Sequence, residues 1–440
     1  MTHRSAVDRS PLWIWWVCGL LLLASTINYM DRQTISNTSE QITQEFGLSE
    51  AGYGWLEFGF SLSFAVGASI FGVIADRVSI RWLYPVVLLL WSMMGFATGL
   101  VETYMGLILC RTLLGLFEAG HWPCALRTTQ RLLPPAWRGL GNSVLQSGTA
   151  IGAMVTPLII KEMVDEHVRG SWRPAFQAVA AVGVVWVILW MISIRKRDLD
   201  DAPISSDINP PDLSESDNRS PAIEQVSFET RQGDTAQSSF LSLVFSRRFL
   251  VLIIVVIAIN VCWHQYRVWL IKFLMRGRGY SRDISLDINF WFNVMTDVGC
   301  ISAGFATAAL SRAGWSVHGA RTAVFGLCSL LVASGTLIPW LPAGPGLIAV
   351  LMCVAAGALG LFPCYYALSQ ELSTVHQGKV TGVLGTLAWI FPAVLHPAFG
   401  ALVDVTKSYD VGMSLVSIVP VVGWAAMFWL WPRTESIEPG

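Results

Sequence analysis

Two pairs of charged residues stand where charge is expensive. Asp31 and Arg32 are adjacent in "NYMDRQT", directly after the uncharged run "LWIWWVCGLLLLASTI", and Arg111 and Glu118 are seven apart in "RTLLGLFEAGHWP". A guanidinium keeps its charge and grips a carboxylate with two parallel hydrogen bonds, so an arginine held in an apolar segment suits binding of an organic anion. Burial favours the protonated form of a carboxyl and a nearby arginine opposes it, so proton and substrate can compete for the same cation. The chemistry suggested is binding and release. No nucleophile–base set, metal cluster or phosphate-binding loop stands out and GxGxxG is absent, so an enzyme is not expected. The eight cysteines fall inside or at the ends of apolar segments without a CxxC pair, which indicates neither a disulfide framework nor a metal site.

The elements that must hold these charges are membrane helices. The chain has 440 residues, 53% of them hydrophobic and 13% charged, with mean hydropathy +0.54, too apolar for water. About 20 apolar residues cross a core of roughly 30 Å. Segments of that length recur near residues 12–36, 52–75, 82–101, 104–126, 139–160, 172–194, 249–272, 288–310, 319–341, 345–369, 380–402 and 411–431. The first is long and lacks a small-residue cleavage site, so it reads as retained rather than as a signal peptide. With the hydrocarbon starting near Val17, after Trp13, Trp15 and Trp16, Asp31 lies roughly 21 Å along the helix and still inside. The bland alternative is that the bilayer ends at Tyr29 and the pair is a wet helix flank. Arg111 falls at a similar depth and Glu118 near the midplane, on nearly the same face as Arg111. Intramembrane charges of this kind are functional candidates, with a structural ion pair between segments one and four as the alternative.

Basic residues concentrate in alternate connections: Arg4 and Arg9; Arg77 and Arg81; Arg127, Arg131 and Arg138; Arg195 to Arg197 with Arg247 and Arg248; Arg312 and Arg321; Lys379; Arg433. Both termini are therefore expected in the cytoplasm. One connection breaks the rule, "KFLMRGRGYSRD" with Lys272, Arg276, Arg278 and Arg282 on the predicted outer side, whereas an earlier outer connection, "SEQITQEFGLSE", is acidic. Residues 195–245, rich in Ser, Asp, Pro and Glu, read as a disordered cytoplasmic linker between an N-terminal bundle, 1–194, and a C-terminal one, 246–440. The halves echo each other: Pro123 and Cys124 match Pro363 and Cys364 at an offset of 240, and Val144 and Leu145 match Val383 and Leu384 at 239.

"GVIADRVSIR" (72–81) resembles the GxxxDRxxxR signature of the major facilitator superfamily. "RTLLGLFEAGHWP" and "NYMDRQT" resemble its anion:cation symporter family, and with "GWSVHGAR" and "ELSTVHQGKVTGVLG" the chain is most similar to the hexuronate-transporter-like branch, over nearly its whole length apart from the linker. The resemblance implies an all-α membrane protein of twelve transmembrane helices in two pseudo-symmetric six-helix bundles. It implies that Arg111 binds the carboxylate of an anionic substrate with Arg32 close by, and that Asp31 and Glu118 take part in proton coupling. It makes Asp76, Arg77 and Arg81 a gating motif that pairs with the starts of other helices, although ordinary topology-setting charges would look the same. Two positions depart from the pattern, Phe64 where a tyrosine and Gly385 where an asparagine is often found, and Glu57 is an extra acid near the outer end of segment two.

Further candidates come from spacing. Asn260, His264 and Arg267 share a face of segment seven; His264 suits a hydroxylated substrate or an outer interface, and Arg267 suits a snorkelling cation. Asn289, Asn293 and Asp297 form a polar stripe read as cavity lining. In segment five Gln146 is a candidate for substrate hydroxyls, while Gly148 and Gly152 read as close packing. Tyr29, Tyr365 and Trp389 are aromatic candidates, the last two equally suited to packing. The resulting expectation is a monomeric importer of a hexuronate or related sugar acid in a bacterial inner membrane, driven by protons without a cofactor. It binds a small anion and protons, sits in the lipid bilayer and takes no nucleic acid. A symporter or exchanger of another carboxylate, such as an aromatic acid or dicarboxylate, and a non-transporting membrane sensor are the alternatives.

Overall fold

The computed structural model describes residues 10–133, 135–165, 167–199, 243–372 and 377–431. Arg4, Arg9, Arg433 and most of the expected linker lie outside the described residues, as do the side chains of Arg138, Lys196, Arg197 and Lys379. In chain order the helices are α1 (Pro11–Asn37), α2 (Ser39–Phe46), α3 (Glu50–Arg77), α4 (Ile80–Thr98), α5 (Tyr104–Glu118), α6 (His121–Leu132), α7 (Pro135–Met163), α8 (Arg173–Ser193) and the short α9 (Lys196–Leu199). They continue as α10 (Arg247–Lys272, extended by a π-helical turn), α11 (Arg282–Arg312), α12 (Val317–Ala333, extended by a 3-10 stretch), α13 (Pro345–Gly360), α14 (Phe362–Glu371), α15 (Gln377–Thr406) and α16 (Asp410–Leu430). Several starts are written in the sequence as N-caps: the side chains of Ser10, Ser49, Thr103, Ser246, Ser281 and Ser316 each accept a backbone N–H from the first turn.

Among the described residues eleven helices are long and apolar enough to cross a membrane. The twelfth expected crossing is there but divided, α5 ending at Glu118 and α6 starting at His121. Pro123 has no N–H to give the carbonyl of Ala119, four residues back, which weakens the helix at that turn. The second half repeats the device: α13 ends at Gly360 and α14 starts at Phe362, with Pro363 four residues after Leu359. The two breaks lie at nearly the offset that the Pro–Cys echo has in the sequence, the prolines themselves being 240 apart.

Trp13 donates to the Ser193 carbonyl (3.2 Å) and Arg248 lies 5.9 Å from the Trp431 ring, so in each half the described ends lie together, here the linker end. Between the halves, the largest contacts join α3 to α15 and α7 to α11, crossings two and eleven, five and eight. Exchanging the halves, two for eight and eleven for five, maps one contact onto the other, as a twofold relation between halves requires. Small residues permit this closeness: a Cβ on Gly54 would lie 2.5 Å from the His396 carbonyl oxygen of α15. Within the first half, Gly148 and Gly152 of α7 face the backbone of α1 at Leu22 and Thr26, the close packing expected of them.

At the far end, away from the linker, the halves are latched by charge. Lys272, fully buried, reaches Glu50 (2.9 Å), and Arg276 bridges Glu40 (2.6 Å) and Glu50 (2.5 Å). The Asp404 carboxylate accepts the N–H groups of Glu50 and Ala51 (3.0 and 2.9 Å) at the start of α3, where the helix dipole favours an anion. Lys161 meets Asp287 (2.8 Å), and Arg282 donates to the carbonyls of Lys161 (3.0 Å) and Val164. Arg278 pairs within the second half, with Asp410 (2.7 Å). The basic connection that breaks the charge rule is thus engaged by carboxylates and helix-end carbonyls, and the acidic connection of the first half is its principal counterpart.

Candidate functional site

In the half of the bundle nearer the far end, where α1, α3, α5 and α10 meet, Arg32, Arg111 and Arg267 stand with Glu57 and Glu118, all 6% exposed or less. Arg32 donates through Nε to Glu118, the last residue of α5 before the helix break. Arg111 donates through Nη2 to Glu57 Oε1 (3.2 Å), and Arg267 donates through Nη2 to Glu57 Oε2 (3.4 Å). Glu57 therefore holds one arginine of each half. Arg267 also approaches the carbonyl of Arg32 (Nη1, 3.5 Å), so a cation expected to snorkel toward the surface points instead into the bundle. It does so because α10 is enclosed along most of its length, leaving no aqueous route for the side chain, and Glu57 offers a countercharge.

The guanidinia are also walled by aromatic faces. Arg32 sits 5.2 Å from the Tyr29 ring, 5.7 Å from Phe60, 4.7 Å from Phe64 and 5.0 Å from Trp389, while Arg111 sits 4.4 Å from Phe60. Such faces stabilise a desolvated cation without neutralising it. Donor capacity is left over: Nη2 of Arg32, Nε and Nη1 of Arg111 and Nε of Arg267 are buried and make no hydrogen bond, as are both oxygens of Asp31 and Oε2 of Glu118. Asp31 points toward α4, where a Cβ on Gly95 would lie 3.3 Å from its Oδ1. Unused buried donors and acceptors of this density are costly unless another occupant satisfies them.

The other sequence candidates divide. Tyr29, His264 and Trp389 join the cluster; the His264 ring lies tilted against Trp389, 4.3 Å between centroids, and Trp389 is 4.2 Å from Phe64. Asn289 and Asn293 are buried and do not line an open cavity here. The Asn289 amide donates to Asn37 of α1 (2.7 Å) and Asn293 bonds back to the Asn289 carbonyl (2.8 Å), sealing the halves together. Asp297 is partly exposed further down α11. Tyr365 packs beside Tyr366 (5.1 Å) in the second half, and Gln146 is exposed on α7 rather than aimed at the arginines.

The motif at the linker end serves the first half. Asp76 pairs with Arg127 of α6 (2.5 Å), which also donates to the Ala75 carbonyl, and Arg81 donates to the Ile194 carbonyl (3.0 Å). Arg77 is exposed. The contacts tie α3 to α6 and α4 to the end of α8, so in this state the motif braces one bundle instead of bridging two.

Sequence reasoning gave Glu57 no partner and passed over Phe60 and His121. Tyr53, Glu57, Phe60 and Phe64 recur at intervals of four, three and four, one face of a helix, which is the signal that marks them. His121, fully buried at the helix break, holds Ser25 Oγ on Nε2 (3.0 Å) and the Tyr84 hydroxyl on Nδ1 (2.9 Å), joining α1, α4 and α6 behind Glu118.

A family model described as Major Facilitator Superfamily matches residues 21–396. The chain is similar to the hexuronate transporter of Escherichia coli (strain K12), 22% identical over 435 residues that cover 96% of this chain and 95% of the relative. It is also similar to the galacturonate transporter of Dickeya chrysanthemi, 21% identical, covering 80% and 97%. Among solved structures it is similar to a bacterial homologue of the human lysosomal transporter Spinster in an inward-facing and occupied conformation, with a TM-score of 0.75, 16% identity and coverage of 96% and 97%.

Proposed function

The chain belongs to the major facilitator superfamily, and from that premise we propose that this multi-pass membrane transporter imports a hexuronate or related sugar acid together with protons. The observation that carries the reading is the buried cluster itself: guanidinia with unused N–H groups beside carboxylates with unused oxygens. An incoming carboxylate satisfies the donors of Arg111 and Arg32 with charge-assisted bonds, and protons satisfy Asp31 and Glu118. Protonating Glu118 releases Arg32 from its pair, so proton binding and anion binding assist one another without either being consumed chemically. The aromatic walls leave the guanidinium charge available while offering apolar faces to a sugar ring.

Alternating access follows from the placement of contacts. The latch at Glu40, Glu50, Lys272, Arg276 and Asp404 belongs to the state closed at the far end, and opening that end requires these pairs to part. We assign the linker end to the cytoplasm of a bacterial inner membrane, the basic outer connection being the latch's half rather than a topological signal, and the working unit to a monomer.

The test is uptake of labelled glucuronate and galacturonate into proteoliposomes with and without an inward proton gradient, for the wild type, Arg111→Ala and Glu118→Gln. Gradient-stimulated uptake, lost with Arg111→Ala and insensitive to the gradient with Glu118→Gln, is the expected result. Absence of uptake of both acids by folded wild type refutes the substrate class, and uptake that needs an internal anion but no gradient makes the protein an exchanger.

A further inference from the structure

We infer that Glu57 is a third protonatable carboxylate of the transport cycle, a tethered anion occupying the place between Arg111 and Arg267 that the substrate's carboxylate must take. The inference rests on the proposed reading of an anion-binding site and adds to it a competitor built into the chain. The geometry is that of a filled carboxylate site: each Glu57 oxygen faces a different guanidinium, Oε1 toward Arg111 (3.2 Å) and Oε2 toward Arg267 (3.4 Å), at zero exposure. Arg111 has two further nitrogens and Arg267 one that make no hydrogen bond, so the pair of cations is not saturated by the carboxylate it holds. The titratable groups that face Glu57 are Arg111 from α5, Arg267 from α10, His396 from α15 and Tyr53 from its own helix.

Charge balance then dictates the consequence. Asp31 points to α4 and makes no hydrogen bond, so Glu57 and Glu118 are the carboxylates that pair with Arg32, Arg111 and Arg267. An arriving carboxylate that takes Arg111 and Arg267 strips Glu57 of its countercharges, and an uncompensated charge in such a site is prohibitive. Glu57 is the carboxyl whose partners the anion takes. Left without them at zero exposure, it accepts a proton, its link to Arg267 of the second half parts, and the two halves lose a bridge where they must move. Anion arrival, proton uptake and release of the halves become one event at one side chain.

A competitor has a signature that a structural pair lacks: removing it tightens binding. With whichever acid the wild type transports, Glu57→Gln should lower KM about tenfold at the alkaline end of the pH range, flatten the pH dependence of KM, and reduce the proton-to-substrate ratio, measured with an internal pH dye and labelled acid, by one. Glu57→Asp, which keeps the charge, should keep the pH dependence. An unchanged ratio and pH profile in Glu57→Gln, or a KM that rises, overturns the inference. A second arm needs no substrate: spin labels at Gln44 and Lys407, on opposite halves at the far end and both exposed, report opening as pH is lowered. The wild type should open on acidification and Glu57→Gln should stay as open at neutral pH as the wild type is when acidified. Identical pH responses overturn the inference. If the wild type moves neither test acid, the substrate reading fails while this arm still decides the role of Glu57.

Discussion

Replacing Lys272 by methionine should unlatch the far end of the protein. The Lys272 ammonium is fully buried, 3.0 and 2.9 Å from the two Glu50 oxygens and 5.0 Å from the centre of the Tyr53 ring. Removing one partner of a buried pair costs ~3–5 kcal/mol when the other is stranded. Glu50 keeps Arg276, so the lower end, about 3 kcal/mol, applies. Because the pair exists only while the far end is closed, the loss falls on that state alone and shifts the open-to-closed ratio about a hundredfold, ~1.4 kcal/mol being tenfold. Arg276 is the internal control. Its side chain is 35% exposed, its two pairs are worth ~0.2–1 kcal/mol each, and Arg276→Gln should move the ratio by about thirtyfold or less. The assay is pulsed spin-label distance measurement between Gln44 and Lys407, with the exposed Cys353 changed to serine. High salt should erase much of the Arg276 effect and little of the Lys272 effect, since burial prevents screening. The reasoning is refuted if Lys272→Met leaves the distance distribution in place, or if Arg276→Gln shifts it more.

Three further outcomes follow from the same geometry. Trp389→Ala removes one of the aromatic faces around Arg32 and should weaken substrate affinity by about twofold to thirtyfold, from ~0.5–2 kcal/mol for one cation–π contact, read as KM in the uptake assay. Gly54→Leu sets a side chain against the His396 carbonyl and should keep α3 and α15 apart, so its far-end distance distribution should be open and its uptake lost while the protein still purifies as a monodisperse species. Asn289→Ala removes the amide contact with Asn37, costing ~1 kcal/mol in the closed state, so the open-to-closed ratio should rise about fivefold by the spin-label measurement.

The twelve crossings were legible because bilayer thickness fixes a length that apolar runs must reach, a constraint independent of tertiary packing. The same regularity made the broken crossing readable in principle, since Pro123 and Pro363 carry the break in both halves. The charged residues Asp31, Arg32, Arg111 and Glu118 were visible as violations of apolarity, and the structure does bring the first and fourth crossings together through Arg32 and Glu118. Which acid holds which arginine was not legible. Arg111 meets Glu57 across a helix–helix contact that Gly115 makes possible by facing the Phe60 backbone, and no spacing within one segment encodes such a contact. Arg267 was misjudged for a related reason: a cation near the end of an apolar run is drawn to water unless the neighbouring helix supplies a carboxylate, and that helix lies in the other half of the chain. The basic connection looked like an exception until its counterpart, the acidic connection of the first half, was seen against it.

The divided fourth crossing also bears on how the protein is made. The pieces Tyr104–Glu118 and His121–Leu132 have 15 and 12 residues, each short of a full crossing, and the first carries Arg111 and Glu118. An arginine or acid at the centre of a segment entering the bilayer from the translocon costs ~2.5–3.5 kcal/mol, so this stretch is a poor candidate for solitary insertion. Its partners, Arg32 and Glu57, lie on α1 and α3, both synthesised earlier, and they neutralise it once it is beside them. The order of synthesis therefore delivers the countercharges first, and a nascent chain shortened to expose the fourth crossing without the first two should fail to integrate it.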